Sequence, residues 1–201
     1  MIRHSHDQYS EEWWEARRGL PTASQFSRIV KGNGEPSTQR KAYLYECAAV
    51  RITGIYKESF TSAAMQEGHD REALSRMIYA MEKECSVDEV GFCISDCGRW
   101  GASPDGFIGD DGLLELKNPA AHTHVEYLIK GKLPSAYVQQ VQGELLVTER
   151  AWADFCSYSP KLPVFILRVD PDVAFMKKLE SALIEFSEEL DDICSKIIKE
   201  S

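Results

Sequence analysis

The chain has 201 residues, 43% of them hydrophobic and 27% charged, an ordinary balance for a soluble domain with a sizeable core. Its 32 acidic residues against 23 basic ones leave a net charge of −9. That argues against a generic basic nucleic-acid coat, and does not exclude an enzyme whose positive charge is confined to one groove. No stretch approaches the ~20 apolar residues of a membrane span and the N-terminus lacks a signal-peptide core, so a cytoplasmic place is expected.

Residues 1–9 are polar and are expected to fray. Ser10 then reads as the N-cap of a helix through E-E-W-W-E-A-R-R (11 to 18), with Trp13 and Trp14 as packing residues and Gly19 beyond its end. Thr22 is a plausible N-cap for a second helix, T-A-S-Q-F-S-R-I-V; hydroxyls and amides at such a start also suit a phosphate, although capping is the simpler reading. A third helix runs to Gly54 with Tyr43, Leu44, Cys47, Ala48 and Ile52 as its stripe. A fourth, about 61–84, carries Ala64, Met65, Ala73, Leu74, Met77, Ile78 and Met81 as an apolar stripe. The charged patch E-G-H-D-R-E (67 to 72) breaks that stripe and places Glu72 on its edge.

Val87 to Ser95 alternates as a strand. Two short apolar runs, Phe107-Ile108 and Leu113-Leu114, then flank Gly109-Asp110-Asp111-Gly112, a strong hairpin signal. Closure there sets Asp105 opposite Glu115, while Glu115 and Lys117, two apart on one strand, share a face. Two carboxylates and an ammonium brought together need a cation or a substrate to offset the repulsion, the first hint of a metal-dependent site.

A short amphipathic helix follows, about 123–129; His122 and His124 on it do not share a face and are discounted as a ligand pair. The next helix, 135–148, buries Tyr137, Val138, Val141 and Leu145, and its glutamines at 139, 140 and 142 are read as solvent-exposed helix formers. Two strands (152–159 and 164–169) and a long terminal helix from Pro171 close the chain. The six cysteines lack any C-x-x-C pair, so reduced, partly buried thiols are expected rather than a zinc site. One α/β domain over 1–201, with extra N-terminal helices, fits this order.

The stretch S-P-D, nine residues, then E-L-K (103 to 117) resembles the P-D…E-x-K signature of the PD-(D/E)XK nuclease superfamily. Three further segments, W-W-E-A-R-R-G-L-P-T-A-S (13 to 24), E-G-H-D-R-E-A (67 to 73) and S-A-Y-V-Q-Q-V-Q (135 to 142), occur in the order seen in one branch of it. Together they are similar to the phage lambda exonuclease family, the YqaJ-like viral recombinase nucleases. The resemblance implies a restriction-endonuclease-like core, a mixed β-sheet flanked by helices. It implies a 5′-to-3′ exonuclease that digests one strand of double-stranded DNA and leaves 3′ single-stranded tails for recombination.

By the same resemblance Asp105, Glu115 and the helical Glu72 are metal ligands, with the Leu116 backbone carbonyl, and Lys117 is the catalytic lysine. Arg17, Ser24, Ser103 and Gln140 match positions that hold the 5′-terminal phosphate. The implied cofactor is Mg²⁺, two ions, with Mn²⁺ as a substitute. The implied partners are DNA ends, a single-strand annealing protein, and two further copies in a ring-shaped trimer. Arg28, Lys31, Arg40, Lys41 and Lys132 are candidates for a DNA channel. A structure-specific or RecB-like endonuclease and a catalytically silent end-binding protein are the alternatives. The intact Asp105, Glu115 and Lys117 weigh against the silent protein. The phosphate-pocket motif and Gln140 weigh against the endonuclease.

Overall fold

The computed structural model describes residues 1–4, 8, 10–56 and 63–199; the side chains of residues 4 and 63–70 lie outside that description. Strand β1 (Ile2–His4) pairs antiparallel with β2 (Phe92–Ile94), which pairs with the short β3 (Gly101–Ala102). The first residues therefore do not all fray: Ile2, Arg3 and His4 are held by a partner some ninety positions away, a pairing that leaves no local signature. Of the strand expected over Val87 to Ser95, only Phe92–Ile94 is regular; Asp88 makes a single bridge to Phe107.

A second sheet follows the order β4-β5-β6-β7, with β4 (Gly106–Ile108), β5 (Gly112–Lys117), β6 (Trp152–Ser157) and β7 (Phe165–Val169). β4 and β5 form the expected hairpin, β5 and β6 run parallel, and β7 returns antiparallel. The parallel pair requires a crossover, supplied by α4 (Ala121–Lys130) and α5 (Val138–Thr148). The result is a mixed sheet with helices against it.

At the N-terminal side, α1 (Glu11–Ala16) is capped by the Ser10 hydroxyl, which accepts from the Trp13 amide at 3.2 Å. The segment after Thr22 is a 3-10 helix, Ala23–Arg28, rather than an α-helix. Its Thr22 amide donates to the Tyr43 hydroxyl at 3.2 Å, so Thr22 is tied to α2 (Arg40–Thr53) and does not cap through its side chain. The 3-10 helix lies directly on α5, where a Cβ on Gly143 would stand 2.4 Å from the Phe26 ring. Only a glycine permits that approach. Helix α6 (Val173–Lys199) covers α2, with the rings of Tyr43 and Phe186 5.5 Å apart.

Helix α3 (Ala63–Lys83) corrects one expectation. Its supposed apolar stripe faces outward: Leu74, Met77 and Met81 are 40%, 55% and 72% exposed. The face that meets the sheet is polar, with Ser75 and Tyr79 buried and Glu72 and Arg76 half-buried. Tyr79 donates to Asp154 on β6 at 2.7 Å, and Arg168 on β7 donates to the same carboxylate at 2.6 Å. These hydrogen bonds, together with the Tyr79 ring packed on Leu114, Leu116 and Cys156, hold the helix in place. The stripe positions Ala64 and Met65 lie outside the described side chains.

Candidate active site

Alternation along β5 sorts its side chains between two environments. Leu114 and Leu116 turn to a small apolar cluster with Tyr79 and Cys156. Glu115 and Lys117 project from the other face, and the Lys117 ammonium rests on Glu115 Oε1. The hairpin register pairs Gly106 with Leu114, and one step further Asp105 stands beside Glu115. Its amide donates to the Leu114 carbonyl at 3.0 Å, and its carboxylate accepts from the Leu116 amide at 2.5 Å.

Helix α5 supplies the next layer. Gln140 donates from Nε2 to Glu115 Oε1 at 2.5 Å and to Glu144 Oε1 at 3.0 Å, so one amide group spans two carboxylates. Its neighbours are not the solvent-exposed glutamines expected from helix propensity. Gln139 is buried and donates to the Val30 carbonyl at 3.3 Å. Gln142 is buried too, donating to the Asp170 carbonyl at 3.0 Å and accepting from the Asp172 amide at 2.8 Å. Each glutamine ties α5 to backbone far away in sequence, Gln139 to the core residue Val30 and Gln142 to the chain entering α6.

From α3, Glu72 reaches the same place in an ion pair with Arg76 at 3.0 Å. Arg76 also donates to the Asp105 carbonyl at 3.1 Å and pairs with Glu89 at 2.8 Å, locking the helix to the head of β4. Ser75 adds a 2.5 Å hydrogen bond to Asn118, just past β5. Residues 67–70 of the same charged patch lie outside the described side chains.

A second corner is built from α1 and the 3-10 helix. The Arg17 guanidinium lies 3.9 Å over the Trp13 ring and donates to Thr22 Oγ1 at 3.4 Å, which lies 3.5 Å from Ser24 Oγ. The Trp13 indole donates to Ser103 Oγ at 3.2 Å. A guanidinium, three hydroxyls and a 3-10 helix start converge here, chemistry that suits a terminal phosphate.

Both corners belong to one cavity of about 270 Å³. Its wall includes Glu72, Asp105, Glu115, Leu116 and Lys117. It also includes Arg17, Ser24, Ser103 and Gln140, so every site residue named from sequence lines the same space. Sequence reading missed two members of the constellation, Glu144 on the cavity wall and Arg76 behind it. The spacing of Gln140 and Glu144, four apart on one helix face, was the available signal for the first.

Burial is the leading cause that raises the Asp105 carboxyl well above its usual range, with the charges of Glu115 and Glu72 adding to it and Lys117 opposing. Burial likewise lifts Glu144, helped by Glu115 and Asp105 and opposed by the Gln140 hydrogen bond. For Lys117 burial works against the ammonium, but Glu115 and Asp105 outweigh it and the pKa is pushed up. The lysine is charged while the acids crowd one another.

Among the described residues no group of three His, Cys, Asp or Glu side chains is already gathered to hold an ion. The donor chemistry nonetheless fits a hard divalent cation, which takes oxygen ligands. Oε2 of Glu115 and Oε2 of Glu144 are buried without any hydrogen-bond partner, the situation a cation relieves. Away from the cavity, His124 is buried between Ser157 Oγ at 2.7 Å and the Pro163 carbonyl at 2.8 Å, while His122 is exposed. Three of the suggested channel residues are engaged with acids: Arg28 with Glu46 at 2.7 Å, Lys31 with Glu35 at 3.5 Å and Arg40 with Glu189 at 2.8 Å. Lys41 and Lys132 are exposed. All six cysteines are free, four of them buried.

A search of curated protein sequences found no match. Among solved structures, an alkaline exonuclease from Laribacter hongkongensis superposes with a TM-score of 0.86 at 34% identity, covering 95% of this chain and 97% of that one. The same enzyme in complex with dAMP gives the same figures. A phage-related exonuclease from Haemophilus somnus shares the fold, with a TM-score of 0.69 over 89% of this chain and 96% of that one at 11% identity. The model of the YqaJ-like viral recombinase domain matches residues 12–151, the span that carries both corners of the cavity. On these grounds the chain belongs to the YqaJ-like viral recombinase family.

Proposed function

We propose that this chain is a divalent-metal-dependent DNA exonuclease that digests one strand of a duplex from its 5′-phosphorylated end, leaving a 3′ single-stranded tail for recombination. The observation that carries the reading is the single cavity in which a carboxylate–lysine set faces an arginine–hydroxyl corner. An enzyme that measures from a terminal phosphate needs both, and needs them within one pocket.

Asp105, Glu115 and Glu72, with the Leu116 carbonyl, would hold Mg²⁺, or Mn²⁺ in its place. When bound, such ions lower the pKa of water and stabilise charge on the attacking and leaving oxygens. Lys117 stays protonated beside Glu115 and meets the negative charge that develops on the scissile phosphate. Arg17, braced on Trp13, offers two N–H groups to the terminal phosphate. Ser24 and Ser103 add hydroxyls, and Gln140 fixes Glu115 between that anchor and the carboxylates.

A homotrimeric ring is part of the proposal, supported by the outward stripe of Leu74, Met77 and Met81 on α3, an apolar face that another copy could cover. A single-strand annealing protein would receive the tail, and the place of action would be the cytoplasm; no helix among the described residues is long and apolar enough to cross a membrane. The test is a time course on duplex DNA labelled at either end, with Mg²⁺ or with EDTA. Mononucleotides released from the 5′ end only with metal support the reading. Internal cuts would turn it toward a structure-specific endonuclease, and an intact duplex would refute catalysis.

A further inference from the structure

Nothing in the family resemblance gives Glu144 a role, yet it is 1% exposed and lines the cavity. A buried carboxylate is expensive unless each oxygen is satisfied. Here Oε1 accepts from Gln140 while Oε2 accepts from nothing, and no lysine, arginine or histidine among the described residues forms an ion pair with it. Only one other buried carboxylate oxygen among the described residues is similarly bare: Oε2 of Glu115. The two carboxylates are tethered by one NH₂ group, since Gln140 donates to both. Two bare oxygens on a shared tether, in one cavity, form half of a binding site whose missing half is positive.

A purely structural role accounts for this poorly. Core packing would be served by an uncharged side chain, and holding Gln140 needs only one acceptor oxygen. Lys117 does not fill the gap, because its ammonium lies against Glu115 Oε1, the oxygen already bonded to Gln140. We propose that Glu144 belongs to the cation site as a further carboxylate ligand, its free Oε2 sharing one divalent cation with Oε2 of Glu115. This rests on the metal-dependent reading of the cavity and extends it to a residue on α5.

The test is calorimetric titration of the whole chain with Mn²⁺ in the absence of DNA, comparing wild type with Glu144→Gln. The amide can still accept from Gln140 but cannot ionise to ligate a cation, so the variant removes the ligand and leaves the positioning contact. We expect its Mn²⁺ affinity to fall about tenfold or more. The Mn²⁺ concentration that half-saturates DNA digestion should rise in step. Equal affinity of variant and wild type, or a wild type that binds no Mn²⁺, overturns the proposal. If Glu144→Gln fails to fold, Glu144→Asp retains the charge but withdraws the oxygen by one methylene; it must also bind Mn²⁺ more weakly, and unchanged binding refutes the ligand role. A wild type that binds Mn²⁺ through Glu144 yet leaves duplex DNA intact would keep this inference and remove the nuclease reading.

Discussion

The ammonium of Lys117 rests on Oε1 of Glu115, two residues before it on the same face of β5. This contact is internal to one strand, so it needs no other element to form it, and it keeps the lysine charged beside the acids. Lys117→Ala is expected to bind DNA ends as wild type does but to cleave them more slowly by roughly a hundredfold or more. A gel-shift assay paired with an end-labelled digestion separates the two effects. Cleavage near the wild-type rate would take the lysine out of the mechanism.

Arg17 sits over Trp13 and donates to Thr22 Oγ1, which lies beside the Ser24 hydroxyl. Arg17→Ala should reduce the preference for 5′-phosphorylated over 5′-hydroxyl ends by about tenfold or more, because it removes both charge-assisted hydrogen bonds to the phosphate. Competition between the two duplexes in one reaction gives the ratio directly. An undiminished preference assigns the phosphate elsewhere.

Asp105 and Glu144 are both held above the ordinary carboxyl range by burial and by neighbouring acids. In the folded chain they keep protons that the unfolded chain releases near pH ~4. Between that pH and their raised values the folded state binds more protons, so their contribution to stability declines as pH rises and is recovered as pH falls. Metal-free Asp105→Asn should therefore gain in melting temperature over wild type at pH 8, by about 3 °C for each ~1 kcal/mol removed in a domain of this size. The gain should shrink toward pH 4. A constant difference across that range would show that the carboxyl ionises in the fold as it does in water.

Tyr79 anchors the polar face of α3 through Asp154. Tyr79→Phe keeps the ring and loses the hydroxyl, which should cost roughly 1–2 kcal/mol because Asp154 remains buried with Arg168 alone. Thermal denaturation measures the loss. If digestion slows more than the stability change accounts for, Glu72 has shifted with its helix.

The hairpin was legible because its information is local: two apolar runs, a Gly-Asp-Asp-Gly turn and an alternation that puts Glu115 and Lys117 on one face. The caps at Ser10 and Gly54 were legible for the same reason. What escaped was set by partners distant in sequence. The pairing of Ile2 with Ile94 has no signature at either end. The apolar stripe of α3 pointed to a buried face, yet Ser75, Arg76 and Tyr79 found hydrogen-bond partners on the sheet and won that side of the helix. Gln139 and Gln142 looked like solvated helix formers because nothing in their neighbourhood shows the backbone carbonyls of Val30 and Asp170 waiting for them. Glu144 was hidden by its helix, where a glutamate is the least informative of residues.

The bare Cα of Gly143 pressed on Phe26 governs a dimension that no charged residue controls. Ser24 rides on the 3-10 helix and Gln140 and Glu144 on α5, so the gap between phosphate anchor and carboxylates is a separation of two backbones. A side chain at 143 would act as a shim, lifting the anchor while leaving every chemical group intact. Such a protein would retain its full set of functional side chains and lose the alignment between the end it grips and the bond it cuts.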